Sequence, residues 1–279
     1  MTRIFTALAE WREERREQLQ AGHTLGFVPT MGALHEGHLS LVRRSRSENA
    51  RTLVSIFVNR TQFDERTDYE KYPRALDDDL QLLREAGVEA VVLPSDDDIY
   101  PDGYRYRVSE TDLSKVLEGV YRPGHFDAVL TVVLKLLHLA AADRAYFGEK
   151  DWQQLQLVRG MAEAFFLPTV IVPCETVREA DGLALSSRNR RLTKDDRARA
   201  PAFHQALVEA VTPEQADRML RECGFAVDYV EDVAGRRLGA VRLGDVRLID
   251  NVRLNGGPEG PPYVQLNGGP EGPPCEEGS

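Results

Sequence analysis

The sequence predicts an α/β fold: a doubly wound parallel sheet followed by a smaller α+β unit. Three observations carry that prediction. As far as Glu175, short β-branched runs alternate with amphipathic stretches, the mark of βαβ units. From about Arg178 the order changes to helices and then strands, which suits a separate α+β unit. The chain has 279 residues, 42% of them hydrophobic and 29% charged, which is enough for two domains with a buried core and excludes wholesale disorder.

Taken in order, the N-terminal MTRIFTALAEWREERREQL places Ile4, Leu8, Trp11 and Arg15 at a helical period. Charge arrives by Glu10, so no secretory apolar segment is legible. Strands are expected at Leu25 to Pro29, Leu53 to Asn59, Glu89 to Pro94, Arg144 to Gly148 and Thr169 to Cys174, each a short β-branched run. Between them, helical periods run from His38 to Asn49, Ala75 to Glu85 (closed by Gly87), Asp127 to Ala141 and Trp152 to Phe165. A polar loop reaches Thr193. Helices over Lys194 to Ala210 and Pro213 to Cys223 then precede strands near Val227 to Val230, Gly239 to Leu243 and Val246 to Ile249. From Leu254 a segment LNGGPEGPP recurs at Leu266, too rich in glycine and proline to supply a core, so residues 254–279 are expected to be a disordered tail.

Composition removes several function classes. Lys and Arg total 35 against 45 Asp and Glu, and the net charge of −10 disfavours a nucleic-acid partner. The most apolar stretch, from Ala128, is broken by Lys135 and His138, so no membrane span is expected. Cysteines at 174, 223 and 275 form neither a disulfide framework nor a zinc knuckle, which points to a reducing cytoplasm.

The chemistry concentrates where strands end. Neither G-x-G-x-x-G nor GK[ST] is present, so any phosphate would meet another loop. GFVPTMGALHEGHLSLVRRS carries a strand into a helix and sets His35 and His38 on one helical face. Zinc is disfavoured, since HEGH is one residue short of H-E-x-x-H. An open helix N-terminus, with Gly32 and Gly37 allowing close approach, suits a phosphate better, and two imidazoles could donate to oxygens that gain charge. FVNRTQFD offers Asn59 and Gln62 after the second strand, residues that are equally at home in a turn. FGEKDWQQ offers Lys150, Asp151 and Gln154 after the fourth, with Asp151 as a plain helix cap the competing reading. DGLALSSRN supplies hydroxyls and the Arg188 guanidinium, a grip for phosphate oxygens or simply a polar loop. RPGHF reads best as a Pro-Gly turn despite Arg122 and His125. Asp77, Asp78 and Asp79 suit the start of a helix through its dipole, and a metal is the weaker reading.

Together GALHEGHL, FVNxxQF, RPGHF, FGEKDxQQL, DGLALSSRN and RLIDN, in this order, resemble the pantothenate synthetases, the pantoate and β-alanine ligases, from about Thr2 to Asn251. The resemblance implies a Rossmann-like domain of the HIGH nucleotidyltransferase superfamily over 1–177, a small α+β lid domain over 178–253, ATP with magnesium, and a homodimer. It implies ATP contacts at Met31, Gly32, Ala33, Leu34, His35, Glu36, Gly37 and His38, at Gly148, Glu149, Lys150 and Asp151, and at Val177, Leu185, Ser186, Ser187 and Arg188. His35, His38 and Lys150 would be catalytic, with His38 in the family's proton-donor role. Gln62 and Gln154 match pantoate contacts, and Gln62 also faces β-alanine. Asn59, Tyr72 and Arg122 match further pocket positions, while no residue is assigned to the metal. Arg60 stands where the family usually has proline, and the C-terminal unit looks short. The implied reaction activates pantoate as an acyl adenylate, releases pyrophosphate, and then forms the amide with release of AMP. The alternatives are another HxGH nucleotidyltransferase acting on a phosphate acceptor, or a noncatalytic ATP-binding module.

Overall fold

A computed structural model describes residues 2–63 and 66–254, with only the backbone path for 66–68. In chain order the elements are β1 (Arg3–Phe5), α1 (Leu8–Gln20), β2 (Leu25–Thr30), α2 (Glu36–Glu48), β3 (Arg51–Ile56), α3 (Arg66–Lys71), α4 (Leu76–Glu85), β4 (Ala90–Val92), α5 (Asp96–Ile99), α6 (Glu118–Tyr121), α7 (His125–Ala140), β5 (Arg144–Gly148), α8 (Trp152–Ala164) and β6 (Val170–Cys174). There follow α9 (Lys194–Arg199), α10 (Pro201–Glu209), α11 (Pro213–Glu222), β7 (Ala226–Val233), β8 (Arg236–Leu243) and β9 (Val246–Arg253).

The first six strands make one parallel sheet in the order β1-β4-β3-β2-β5-β6. Both faces are covered, so neighbouring strand residues enter opposite cores: Phe27, Leu53 and Val92 pack with Trp11 and the α7–α8 layer, whereas Val28, Val54 and Val91 pack with α2 and α4. That double burial explains why these strands read as continuous β-branched runs. The order reverses between β2 and β5, which opens a crevice at their carboxyl ends.

The last three strands form an antiparallel meander. One of its faces buries Leu207, Leu220 and Val241 with α10 and α11, and the other sets Tyr229, Leu238 and Ala240 on Leu117 and Trp152. The three-stranded sheet is therefore docked on the parallel-sheet unit through an apolar seam.

Two expectations need correction. The helical period through Ile4 fails, because Arg3–Phe5 pairs with Ala90–Val92 as an edge strand and α1 starts only at Leu8. Trp11 and Arg15 do face inward, the indole donating to Leu139 O (2.9 Å) and the guanidinium to Ala141 O (2.9 Å). Lys194 to Ala210 is two helices, since Pro201 has no N–H and begins α10 as a first-turn residue. No helix among the described residues is long and apolar enough to cross a membrane. The Gly/Pro repeat after Leu254 lies outside the described residues.

Candidate active site

The turn after β2 is built around a buried carboxylate. Gly32 is left-handed (φ 79°), and a Cβ there would stand 2.9 Å from Asp79 Oδ2. Asp79, in the first turn of α4 and 2% exposed, accepts hydrogen bonds from Ala33 N (2.8 Å) and Leu34 N (2.7 Å). Burial pushes its carboxyl up against the pull of these two N–H groups.

His35 caps α2 in a box made of two histidines. Its Nδ1 accepts from Gly37 N (3.1 Å), and His38 Nδ1 accepts from His35 N (3.4 Å). A ring nitrogen that accepts carries no proton, so each neutral imidazole keeps its proton on Nε2. The rings lie 4.1 Å apart. Burial, reinforced by Lys150, lowers His35 to about 4, and burial with His35 and Lys150 lowers His38 to about 3. A Cβ at Gly37 would be 2.9 Å from the His35 ring, so glycine is what lets the first histidine fold back. Gly37, Ala33 and Leu34 thus spend their N–H groups inside the turn, and both imidazoles line the cavity beside it.

Lys150 follows β5, across the crevice, with Nζ 3.9 Å from Asp151 Oδ2. The Asp151 side chain makes no helix-cap hydrogen bond, so that reading fails. The loop is held from the three-stranded sheet, where Asn251 Nδ2 donates to Glu149 O (2.8 Å) and Lys150 O (3.0 Å). Glu149 pairs with Arg236 and Arg253, which makes it an anchor for that sheet.

Asn59 and Gln62 stand on the loop after β3. RPGHF is more than a turn, since Arg122 Nη2 (3.0 Å) and His125 Nδ1 (2.9 Å) both donate to Gln62 O while Arg122 Nη1 donates to His125 Nε2 (3.0 Å). Arg60 Nε stands 3.5 Å from Asp96 Oδ2 at the surface. On the fourth segment, Leu185 N donates to Val177 O (3.0 Å), Ser186 Oγ accepts from Arg188 N (3.2 Å), and buried Ser187 bonds the Tyr72 hydroxyl.

These segments enclose two adjoining chambers. One of about 260 Å³ is lined by Met31, His35, Gly37, His38, Asn59, Gln62, Tyr72, Gly148, Gln154, Val177, Leu185 and Ser187. The other, about 480 Å³, lies against β9 and is rich in cations, including Lys71, Arg191, Arg242 and Arg247. Arg122, Lys150, Asp151, Ser186 and Arg188 line both. Gly32, Ala33, Leu34, Glu36 and Glu149 line neither, and Glu36 instead pairs with Arg43 at the surface. Among the described residues no group of three or more His, Cys, Asp or Glu could hold a metal ion.

Sequence reasoning missed the roles of Asp79, His125 and Asn251. Asp79 left a signal, since it shares the buried face of α4 with Leu80 and Leu83 and an acid on an apolar face needs a partner. The partners of His125 and Asn251 are distant in the chain, and no local pattern reveals them.

Known proteins are similar to this chain over most of its length. The pantothenate synthetase of Bdellovibrio bacteriovorus is 50% identical over 254 residues, covering 91% of this chain and 100% of that one. That of Legionella pneumophila strain Corby is 48% identical over 251 residues, 90% of this chain and 99% of the relative. Among solved structures, a pantoate-beta-alanine ligase from Francisella tularensis, complexed with beta-gamma ATP and beta-alanine, superposes with a TM-score of 0.87 at 39% identity, covering 91% and 98% of the two chains. Pantothenate synthetase from Thermus thermophilus gives 0.83 at 42% identity, with 90% and 99% covered. The pantoate-beta-alanine ligase family matches residues 3–253. With that match, and with six motifs of the sequence gathered around one crevice, the chain belongs to the pantoate-beta-alanine ligase family and is a ligase that condenses pantoate with β-alanine.

Proposed function

We propose that ATP, pantoate and β-alanine meet in these two chambers and react in two steps. The pantoate carboxylate attacks the α-phosphorus of ATP and expels pyrophosphate, and the β-alanine amine then attacks the acyl adenylate and releases AMP. In this reading residues 1–177 bind nucleotide and pantoate, and 178–253 cover them.

The observation that carries the reading is the neutral histidine pair facing Lys150. With Nδ1 of each ring occupied by a backbone N–H, His35 and His38 have only Nε2–H left to donate, which suits oxygens that gain charge as pyrophosphate leaves. His38 then acts as a hydrogen-bond donor, since a group lowered to about 3 is not an imidazolium at neutral pH. Lys150, Ser186, Ser187 and Arg188 offset phosphate charge where the chambers meet. Gln62 and Gln154 orient pantoate for in-line attack, and Gln62 also meets β-alanine. The complex of the Francisella relative with beta-gamma ATP and beta-alanine supports the choice of substrates.

Magnesium fits as a companion of the triphosphate. Such an ion keeps several waters and needs one or two carboxylates besides phosphate oxygens, and Asp151, 46% exposed and lining both chambers, would be the carboxylate that holds it. It would supply neutralisation of the leaving pyrophosphate. The reading includes a homodimer, to be measured by sedimentation equilibrium, and a cytoplasmic location. Of the described cysteines, Cys174 is buried, Cys223 is exposed, and both are free thiols.

Isotopic oxygen placed in the pantoate carboxylate is expected to appear in AMP. Label found only in pyrophosphate would mean that the carboxylate is not the nucleophile at α-phosphorus.

A further inference from the structure

The Gln62 backbone has little freedom. Its carbonyl takes two donors from Arg122 and His125, and its N–H reaches Asn59 O at 3.4 Å. What remains open is which edge of the Gln62 amide faces substrate. Asn59, 1% exposed, donates from Nδ2 to Gln62 Oε1 (3.0 Å), so the edge left for the cavity is the Gln62 amino group. The direction of Asn59 is itself set behind the cavity wall, where its Oδ1 accepts from the Tyr100 hydroxyl (2.7 Å) and from Thr61 Oγ1 (2.9 Å).

Tyr100 lies outside every motif that carries the family resemblance. It is 5% exposed, held edge-on to Tyr104 (5.2 Å between centroids) and under the Lys135 ammonium (4.9 Å), so the ring cannot move away from Asn59 without breaking its packing. A phenol is a stronger donor and a weaker acceptor than an alcohol, so facing an amide it selects the carbonyl oxygen over the amino group. We propose that Tyr100 is a positioning residue for substrate selection: through Asn59 it turns the amino edge of Gln62 towards the cavity, where that edge donates to a substrate oxygen. Burial pushes the phenol up to about 12, so it remains a donor throughout the working range. The inference rests on the reading of Gln62 as a pantoate contact.

The test is a double-mutant cycle between Tyr100→Phe and Gln62→Met, followed through the KM for pantoate, the KM for ATP and kcat. Tyr100→Phe is expected to raise the pantoate KM about five-fold, as losing one oriented hydrogen bond does, with the ATP KM unchanged and kcat altered less than about two-fold. In the Gln62→Met background the same change should add nothing. An equal rise in both backgrounds, or a rise in the ATP KM alongside, assigns Tyr100 to packing and overturns the inference. No rise from Tyr100→Phe while Gln62→Met does raise the pantoate KM overturns it as well, leaving the pantoate reading intact. An unchanged pantoate KM in Gln62→Met overturns that reading and the inference with it. Should Tyr100→Phe fail to fold, Asn59→Asp carries the test. A carboxylate demands the Gln62 amino group for itself and turns Oε1 to the cavity, so the pantoate KM must rise, and an unchanged value overturns the relay.

Discussion

At the residue scale, the two histidines are defined less by their sequence spacing than by what surrounds them. Half-buried beside a lysine and beside each other, they are held neutral, and each has one ring nitrogen bound to a backbone N–H. His38→Ala is expected to slow adenylate formation in a single turnover by about 10²-fold, the usual cost of losing a donor to developing charge. Near-normal adenylation would leave His38 a purely structural cap. The same burial predicts a pH dependence of stability. His35, His38 and His125 all fall below their ordinary 6.5, to about 4, 3 and 3. Below 6.5 the unfolded chain therefore binds protons that the folded chain refuses, so stability is full above 6.5 and drains as pH falls. Tm should hold above pH 7 and decline between 6.5 and about 5, a window above most carboxylate titration. A flat Tm across that window would contradict the neutral assignment.

At the element scale, α4 does two tasks with one turn. Asp77 and Asp78 stay exposed at its N-terminus, where the dipole favours them, while Asp79 points inward and ties α4 to the turn before α2. Asp79→Asn can accept from only one of the two backbone N–H groups and sets its own amino group against the other. The expected loss is about 1 to 3 kcal/mol of stability, with a lowered kcat/KM for ATP, whereas Asp77→Asn changes neither. Urea unfolding and steady-state kinetics on both variants check this, and equal effects would deny Asp79 its special place.

At the scale of the whole molecule, the two sheets are coupled at the cleft. Arg247 of β9 binds both carboxylate oxygens of buried Glu118 (2.6 and 2.8 Å), Tyr229 of β7 donates to the same carboxylate, and Asn251 holds the Lys150 loop. The Lys150 backbone is thus positioned in part by the C-terminal sheet. Every residue lining either chamber precedes Asn251, and the family match ends at residue 253. Deleting residues 255–279 is therefore expected to leave kcat/KM and Tm unchanged, and a loss of several degrees would give the repeat a structural part.

Much was legible in the sequence. Strands buried on both faces read as unbroken β-branched runs, and Arg144 to Gly148 falls where expected to the residue. The four segments that would hold substrate were legible too, because a doubly wound sheet brings the ends of its strands to one edge. A three-residue edge strand such as Arg3–Phe5 was not, since it has too few positions to show a period and its pairing with Ala90–Val92 is remote in the chain. Nor could the sequence show that RPGHF clamps the Gln62 carbonyl or that Asp79 closes the histidine turn. Sequence patterning determined which segments form elements and which strand ends carry polar groups. Only the tertiary structure decided which of those groups face a ligand and which are spent on one another, because a hydrogen bond between distant segments depends on the packed distance between them and leaves no trace in local spacing.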